Sequence, residues 1–108
     1  MYMEKLYIIV RNDIAPGLQI AQACHALREF VDAYPDLDRA WHTNHRNIVI
    51  LQVPELSDLA ALANEADAKA IPCSRFLEPD LGDQLTAIAL AREGEKIVST
   101  LPLALKAA

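Results

Sequence analysis

The sequence predicts an α/β protein built on a four-stranded mixed β-sheet with helices on its faces. Three observations carry that reading. Lys5 to Arg11 (KLYIIVR) is a nearly continuous apolar run, as expected of a strand covered on both faces. From Ile20 onward, apolar residues recur at intervals of three and four, the period of a helix. A second β-branched run, Asn47 to Val53 (NIVILQV), then follows, and this strand–helix–strand order places helices over a sheet.

The first strand ends at the turn formers Asn12 and Asp13. Beyond Pro16 and Gly17, the positions of Ile20, Ala23, Cys24, Leu27, Val31 and Tyr34 predict a helix over 17–34, ended before Pro35. On a helical projection Ile20, Cys24, Leu27 and Val31 form the expected core stripe. Leu18, Gln22, His25 and Glu29 form the opposite ridge, so His25 faces away from the core. A loop holding Trp41, read as a packed aromatic anchor, and the polar residues His42 to Arg46 leads to the second strand, which Pro54 closes.

Ser57 is the expected cap of a helix over 57–70, with Asp58 in its first turn and a small-residue face of Leu59, Leu62, Ala63, Ala66 and Ala70. Pro72 leads to a third strand near Cys73–Leu77. The loop EPDLGDQ and a fourth strand at Thr86–Ala91 complete the sheet, and the tail after Gly94 reads as a short helix or terminal strand. Gly17, Gly82 and Gly94 stand isolated and read as turn markers.

The chain has 108 residues, 53% hydrophobic and 23% charged, which fits one domain over residues 1–108 with a core that needs neither disulfide nor structural metal. No apolar run approaches the roughly 18 residues that cross a bilayer, and MYMEKLYIIVRND lacks a signal-peptide cleavage pattern, so a cytoplasmic protein without a membrane segment is expected. Cys24 and Cys73 have no CxxC spacing and read as free buried thiols. The net charge is −5. Residues 1–53 hold five basic and six acidic groups and residues 54–108 five and nine, which disfavours a broad nucleic-acid footprint and leaves any phosphate contact to a local cluster in the first half. His42 and His45 lack a third ligand, and a Walker loop and a GxGxxG are both absent, so neither metal nor cofactor is expected.

Two places can carry chemistry. His25 sits on the exposed ridge of the first helix, where the plain reading is a solvated pair with Glu29 at i, i+4. The loop after the third strand packs Glu78, Asp80 and Asp83 into six residues, followed at once by Thr86. Clustered carboxylates raise one another's pKa, as general acid–base work requires; the plain alternative is a hydrated acidic turn.

With both places located, VRNDIAPGLQIAQACHA at 10–26 resembles the first-strand and first-helix signature of the type-II peptidyl-tRNA hydrolases. NIVILQVPELSDLAALANEADAKAIPCSRF at 47–76 is similar to that family's second strand, helix and third strand, and TAIAL at 86–90 to its last strand. The resemblance implies a three-layer α/β/α sandwich, usually dimeric, that cleaves the ester between a peptide and the tRNA 3′ end without a metal. By position, Gly17, Gln22 and His25 match the family's helix-start motif and Thr86 the threonine of its last strand. Leu18 stands where the family has lysine, and the family's site loop is shortened to EPDLGDQL, so either Glu78 or Asp80 takes the place of its aspartate.

The resulting expectation is a peptidyl-tRNA hydrolase in which Glu78 or Asp80 activates water and Thr86, Gln22 and His25 orient the ester. Gly17 and Gln22, with Arg11 and Arg28, bind substrate, and Arg11, Arg28, Arg46 or His25 supplies the positive charge that Leu18 does not. Weak, salt-sensitive binding of peptidyl-tRNA and a homodimer are expected. The alternative is a catalytically degenerate dimeric binding module of the same fold, or a hydrolase of a smaller ester or amide.

Overall fold

A computed structural model describes residues 4–106. The elements run β1 (Lys5–Arg11), α1 (Pro16–Ala33), α2 (Pro35–Asn44), β2 (Asn47–Val53), α3 (Leu56–Ala68), β3 (Cys73–Glu78), β4 (Gln84–Leu90) and α4 (Glu95–Val98), with single 3-10 turns at Pro79–Leu81 and Arg92–Gly94. The sheet order is β2-β1-β4-β3. β1 runs parallel to β2, and β4 runs antiparallel to both β1 and β3. β1 therefore lies inside the sheet with both faces covered, as its unbroken apolar run requires. Leu6, Ile8 and Val10 pack with Phe30 and Trp41 on one face, while Tyr7 and Ile9 pack with Leu59 and Ala63 on the other. The result is an α/β/α arrangement around a mixed four-stranded sheet, the predicted fold class.

Five local expectations are corrected. α1 is rotated from its predicted phase, burying Gln19, Gln22, Ala23, Ala26 and Phe30 and leaving Ile20 and Cys24 exposed. The reason is steric: the facing positions on β4 are Ala87 and Ala89, and alanine against alanine brings helix and sheet together in a way that Ile20 and Leu27 would prevent. Ser74 Oγ on β3 donates to the Ala26 carbonyl at 3.0 Å and fixes that close approach. Cys24 is consequently an exposed thiol, while Cys73 is buried as expected.

The segment expected as a loop around Trp41 is α2. Pro35 occupies its first turn, where no N–H is needed, and Asp36 and Asp38 favour its N-terminal dipole. Trp41 is buried as predicted and its Nε1 donates to the Asn47 carbonyl at 2.8 Å, tying α2 to the start of β2. Ser57 does not cap α3; Glu55 holds the cap position, and the Ser57 hydroxyl donates to its carboxylate. Gly17 lies in the first turn of α1 rather than in a turn before it.

Beyond α4 the chain returns to the outer edge of β2. Gln52 N–H donates to the Pro102 carbonyl and Ala104 N–H to the Ile50 carbonyl, with Leu103 bridging Leu51. The tail thus supplies both a short helix and a strand-like edge contact.

Candidate active site

The C-terminal end of β1, the start of α1 and the β3–β4 hairpin meet at one end of the sheet, where the register sets Val10 beside Ala87 and Glu78 beside Gln84. The hairpin owes its shape to its own residues. Gly82 adopts the left-handed conformation (φ 63°) after the 3-10 turn, Asp83 follows in the same region (φ 61°), and the Asp83 N–H closes the loop on the Glu78 carbonyl at 2.9 Å.

That loop presents Glu78 to α1. Gln22, fully buried, donates from Nε2 to Glu78 Oε1 at 2.8 Å, and the Asp80 N–H donates to Glu78 Oε2 at 3.2 Å. The two donors, the Gln22 amide above all, hold the Glu78 carboxyl below the usual carboxylate range, and His25 adds to this electrostatically. The expectation that neighbouring acids raise this pKa is corrected: hydrogen bonds to both oxygens of the charged form outweigh the desolvation that raises it. Asp80 is exposed and enters the cluster through its backbone N–H.

His25 is exposed, as predicted, and its ring stacks on Phe76 at 4.3 Å between centroids and 12° between planes. Gln22, predicted on the same exposed ridge, is instead buried, and its Oε1 has no hydrogen-bond partner. Thr86 is fully buried within β4 and its hydroxyl donates to the Phe76 carbonyl at 3.5 Å. Gly17 is exposed at the head of α1, with no atom within 4 Å of where a Cβ would stand.

Arg11 is near the cluster but is not a mobile cation. It is 9% exposed, donates to both carboxylate oxygens of Asp13 at 2.6 and 2.8 Å, and reaches Gln84 Oε1 at 2.9 Å and the Leu85 carbonyl at 3.2 Å. The guanidinium thus clasps the end of β1 to the start of β4. Arg28 is exposed farther along α1 and pairs with Asp32 at 3.3 Å, so it does not join the cluster. Arg46 lies at the opposite end of the sheet, just before β2, whose first residue pairs with the first residue of β1.

Three contributors escaped the sequence reading: Asp13 and Gln84, which hold Arg11, and Phe76, on which His25 rests. The Arg-x-Asp spacing at the strand end is a usable signal for Asp13. Gln84 and Phe76 meet their partners across more than fifty residues of chain and leave no local mark. Among the described residues no three His, Cys, Asp or Glu side chains gather as metal ligands.

The arrangement offers an ionised carboxylate held by an amide, an exposed imidazole beside it, and a helix start left open by glycine. A family model for the peptidyl-tRNA hydrolase PTH2 matches residues 4–104. The chain belongs to this family. Membership extends over nearly every described residue of this PTH2-family chain, and hydrolysis of peptidyl-tRNA is the activity that gives the family its name. A solved protein of unknown function from Agrobacterium tumefaciens strain C58 has a similar fold, with a TM-score of 0.68 and 18% identity over 95% of this chain and 98% of that one. No curated protein matches the chain.

Proposed function

We propose that this PTH2-family chain, acting as one domain over residues 1–108, hydrolyses the ester joining a peptide to the 3′ end of tRNA, with Glu78 as its site carboxylate. The observation that carries the reading is the 2.8 Å bond from Gln22, in the helix-start motif, to Glu78 on the hairpin, inside a chain whose residues 4–104 match the family. Water attacks the ester carbonyl as Glu78 takes its proton. The tetrahedral intermediate then expels the ribose oxygen, which receives that proton and leaves as tRNA. Gln22 keeps the carboxylate aimed, and His25, the exposed donor beside it, orients the ester. Thr86 is buried and acts by fixing β4 beside them. Gly17 leaves the helix start open to the acceptor end, Arg28 on the exposed side of α1 meets phosphate, and Arg11 acts by holding the hairpin in place.

The same proposal includes weak, salt-sensitive tRNA binding, a cytoplasmic setting and a homodimer. The β3 edge of the sheet, where Leu77 is half exposed, supports the dimer, and sedimentation tests it. No described helix is long and apolar enough to cross a membrane.

The test is release of the blocked amino acid from N-blocked aminoacyl-tRNA at low salt. Glu78→Gln lowers turnover about 10²–10⁴-fold, the range of a lost general base, whereas Asp80→Asn leaves it near wild type. The reverse pattern, in variants with unchanged circular dichroism, moves the base to Asp80. A second reading rests on Leu18 and on Arg11 being fully engaged, which leave the carboxylate without a mobile cation. Under it the chain is a binding module of the same fold or a hydrolase of a smaller ester, and wild-type release no faster than in buffer selects it.

A further inference from the structure

On the other side of α1 from Gln22 and His25, an open groove of about 210 Å³ lies between α1, β2 and the C-terminal segment. It follows from the sheet order. α1 packs over β1, β4 and β3, and α2 meets β2 at its start through Trp41, so Ile48 and Ile50 are left exposed on the α1 side. Ile8 and Val10 form the floor, Ile20 and Cys24 rise from α1, and Ile48 and Ile50 line the β2 side. Ile20, Ile48 and Ile50 are 57%, 44% and 37% exposed, a large apolar expanse for three β-branched side chains set around one concavity.

No charged residue lines the groove. The polar residue in its wall is Gln19, only 4% exposed, whose Nε2 donates to the Ile14 carbonyl at 2.8 Å and whose Oε1 has no hydrogen-bond partner. A buried acceptor left without a donor is costly, and such groups are uncommon in folded proteins. The groove is therefore apolar, with one unanswered acceptor buried in the Gln19 side chain of its wall.

We propose that this groove is a binding site for a small uncharged molecule with an apolar, ring-sized body and one N–H or O–H donor, which a small turn of the Gln19 amide brings to Oε1. Charge is excluded by the lining, and the donor is called for by Gln19. A groove of about 210 Å³ exceeds the roughly 150 Å³ cavity that accepts benzene, so a fused bicyclic ring fits. The site is too small for a protein partner, because eleven residues line it where a standard interface uses roughly 20–30 per side. The inference does not depend on the hydrolase reading, since its residues lie across α1 from Glu78.

Indole is the probe, with 1-methylindole as the same ring without its donor, titrated into the full chain while isoleucine methyl resonances are followed by NMR. Saturable shifts centred on Ile8, Ile20, Ile48 and Ile50 are expected. Binding of 1-methylindole is weaker by about fivefold or more, and Gln19→Leu removes that preference. Ile50→Glu abolishes binding; Cys24→Arg, at an exposed position, repeats that test in a second background. The proposal is overturned by the absence of saturable shifts up to the solubility of indole, by shifts scattered over the surface, or by equal binding of the two probes. Shifts of the same methyls with protein concentration alone also overturn it and assign the groove to a second copy.

Discussion

Arg11 shows how burial changes what a charged side chain can do. Its guanidinium is satisfied by Asp13, Gln84 and the Leu85 carbonyl, so it organises the hairpin start and has little left to offer a substrate phosphate. The clasp has a pH signature. Asp13 is held below its ordinary range by the Arg11 hydrogen bonds, so its folded pKa lies below its unfolded value of about 3.9. Its contribution is therefore complete above that value and is lost as pH falls through the folded pKa. Asp13→Asn is expected to melt below wild type at neutral pH, with the gap in Tm narrowing as scanning calorimetry is carried from about pH 5 toward pH 2; a gap independent of pH removes Asp13 from that role. Gln22, His25 and the pair Glu78 or Asp80 stood out as candidates because motif and loop each lie within a short stretch of sequence, but the burial of Gln22 and its choice of Glu78 over Asp80 did not. Nor did the direction of the Glu78 shift, since spacing shows neighbouring acids but not the donors that a distant helix brings to them.

Among the elements, α1 best shows what periodicity reads and what it misses. Its existence and ends were plain within one residue, because Pro16 and Pro35 bracket a run with helical spacing. Its rotation was not. A projection ranks faces by hydrophobicity, whereas the sheet selected the face whose Ala23 and Ala26 meet Ala87 and Ala89, and accepted Gln22 because Glu78 answers its amide N–H. Urea unfolding tests this phase: Ile20→Ser changes stability by less than about 1 kcal/mol, while Ala26→Leu, at a fully buried position against the sheet, costs about 1–3 kcal/mol through overpacking. The opposite order restores the predicted phase. The strands were legible to within about two residues at each end, since long β-branched runs bounded by turn formers leave few alternatives. α2 was not, because its polar surface, with His42 inside it and His45 just past its end, looks like a loop unless Pro35, Asp36 and Asp38 are read together as a helix start.

For the whole molecule the decisive quantity is charge. A net −5, with Arg11 clasped, Arg75 paired to Asp67, Lys69 to Glu65, Arg39 to Asp36 and Arg92 to Glu4, leaves half of the ten Lys and Arg for a phosphate backbone. Affinity for tRNA, measured across a salt series, is expected to fall with a log–log slope of only about −1 to −2, as one or two phosphate contacts give. A slope several times steeper points to a broad basic footprint that this surface does not offer. The same geometry supplies an optical instrument. Trp41 is the sole tryptophan of the chain, buried, with its indole nitrogen bonded at the start of β2. Lys5 pairs there with Asn47, and six residues of β1 at about 3.3 Å each separate that end of the sheet from Arg11, a span of about 20 Å. Intrinsic fluorescence therefore follows the docking and melting of α2 while staying dark to events beside Glu78. Any change in its emission on adding substrate would report a signal relayed along the full length of the central strand.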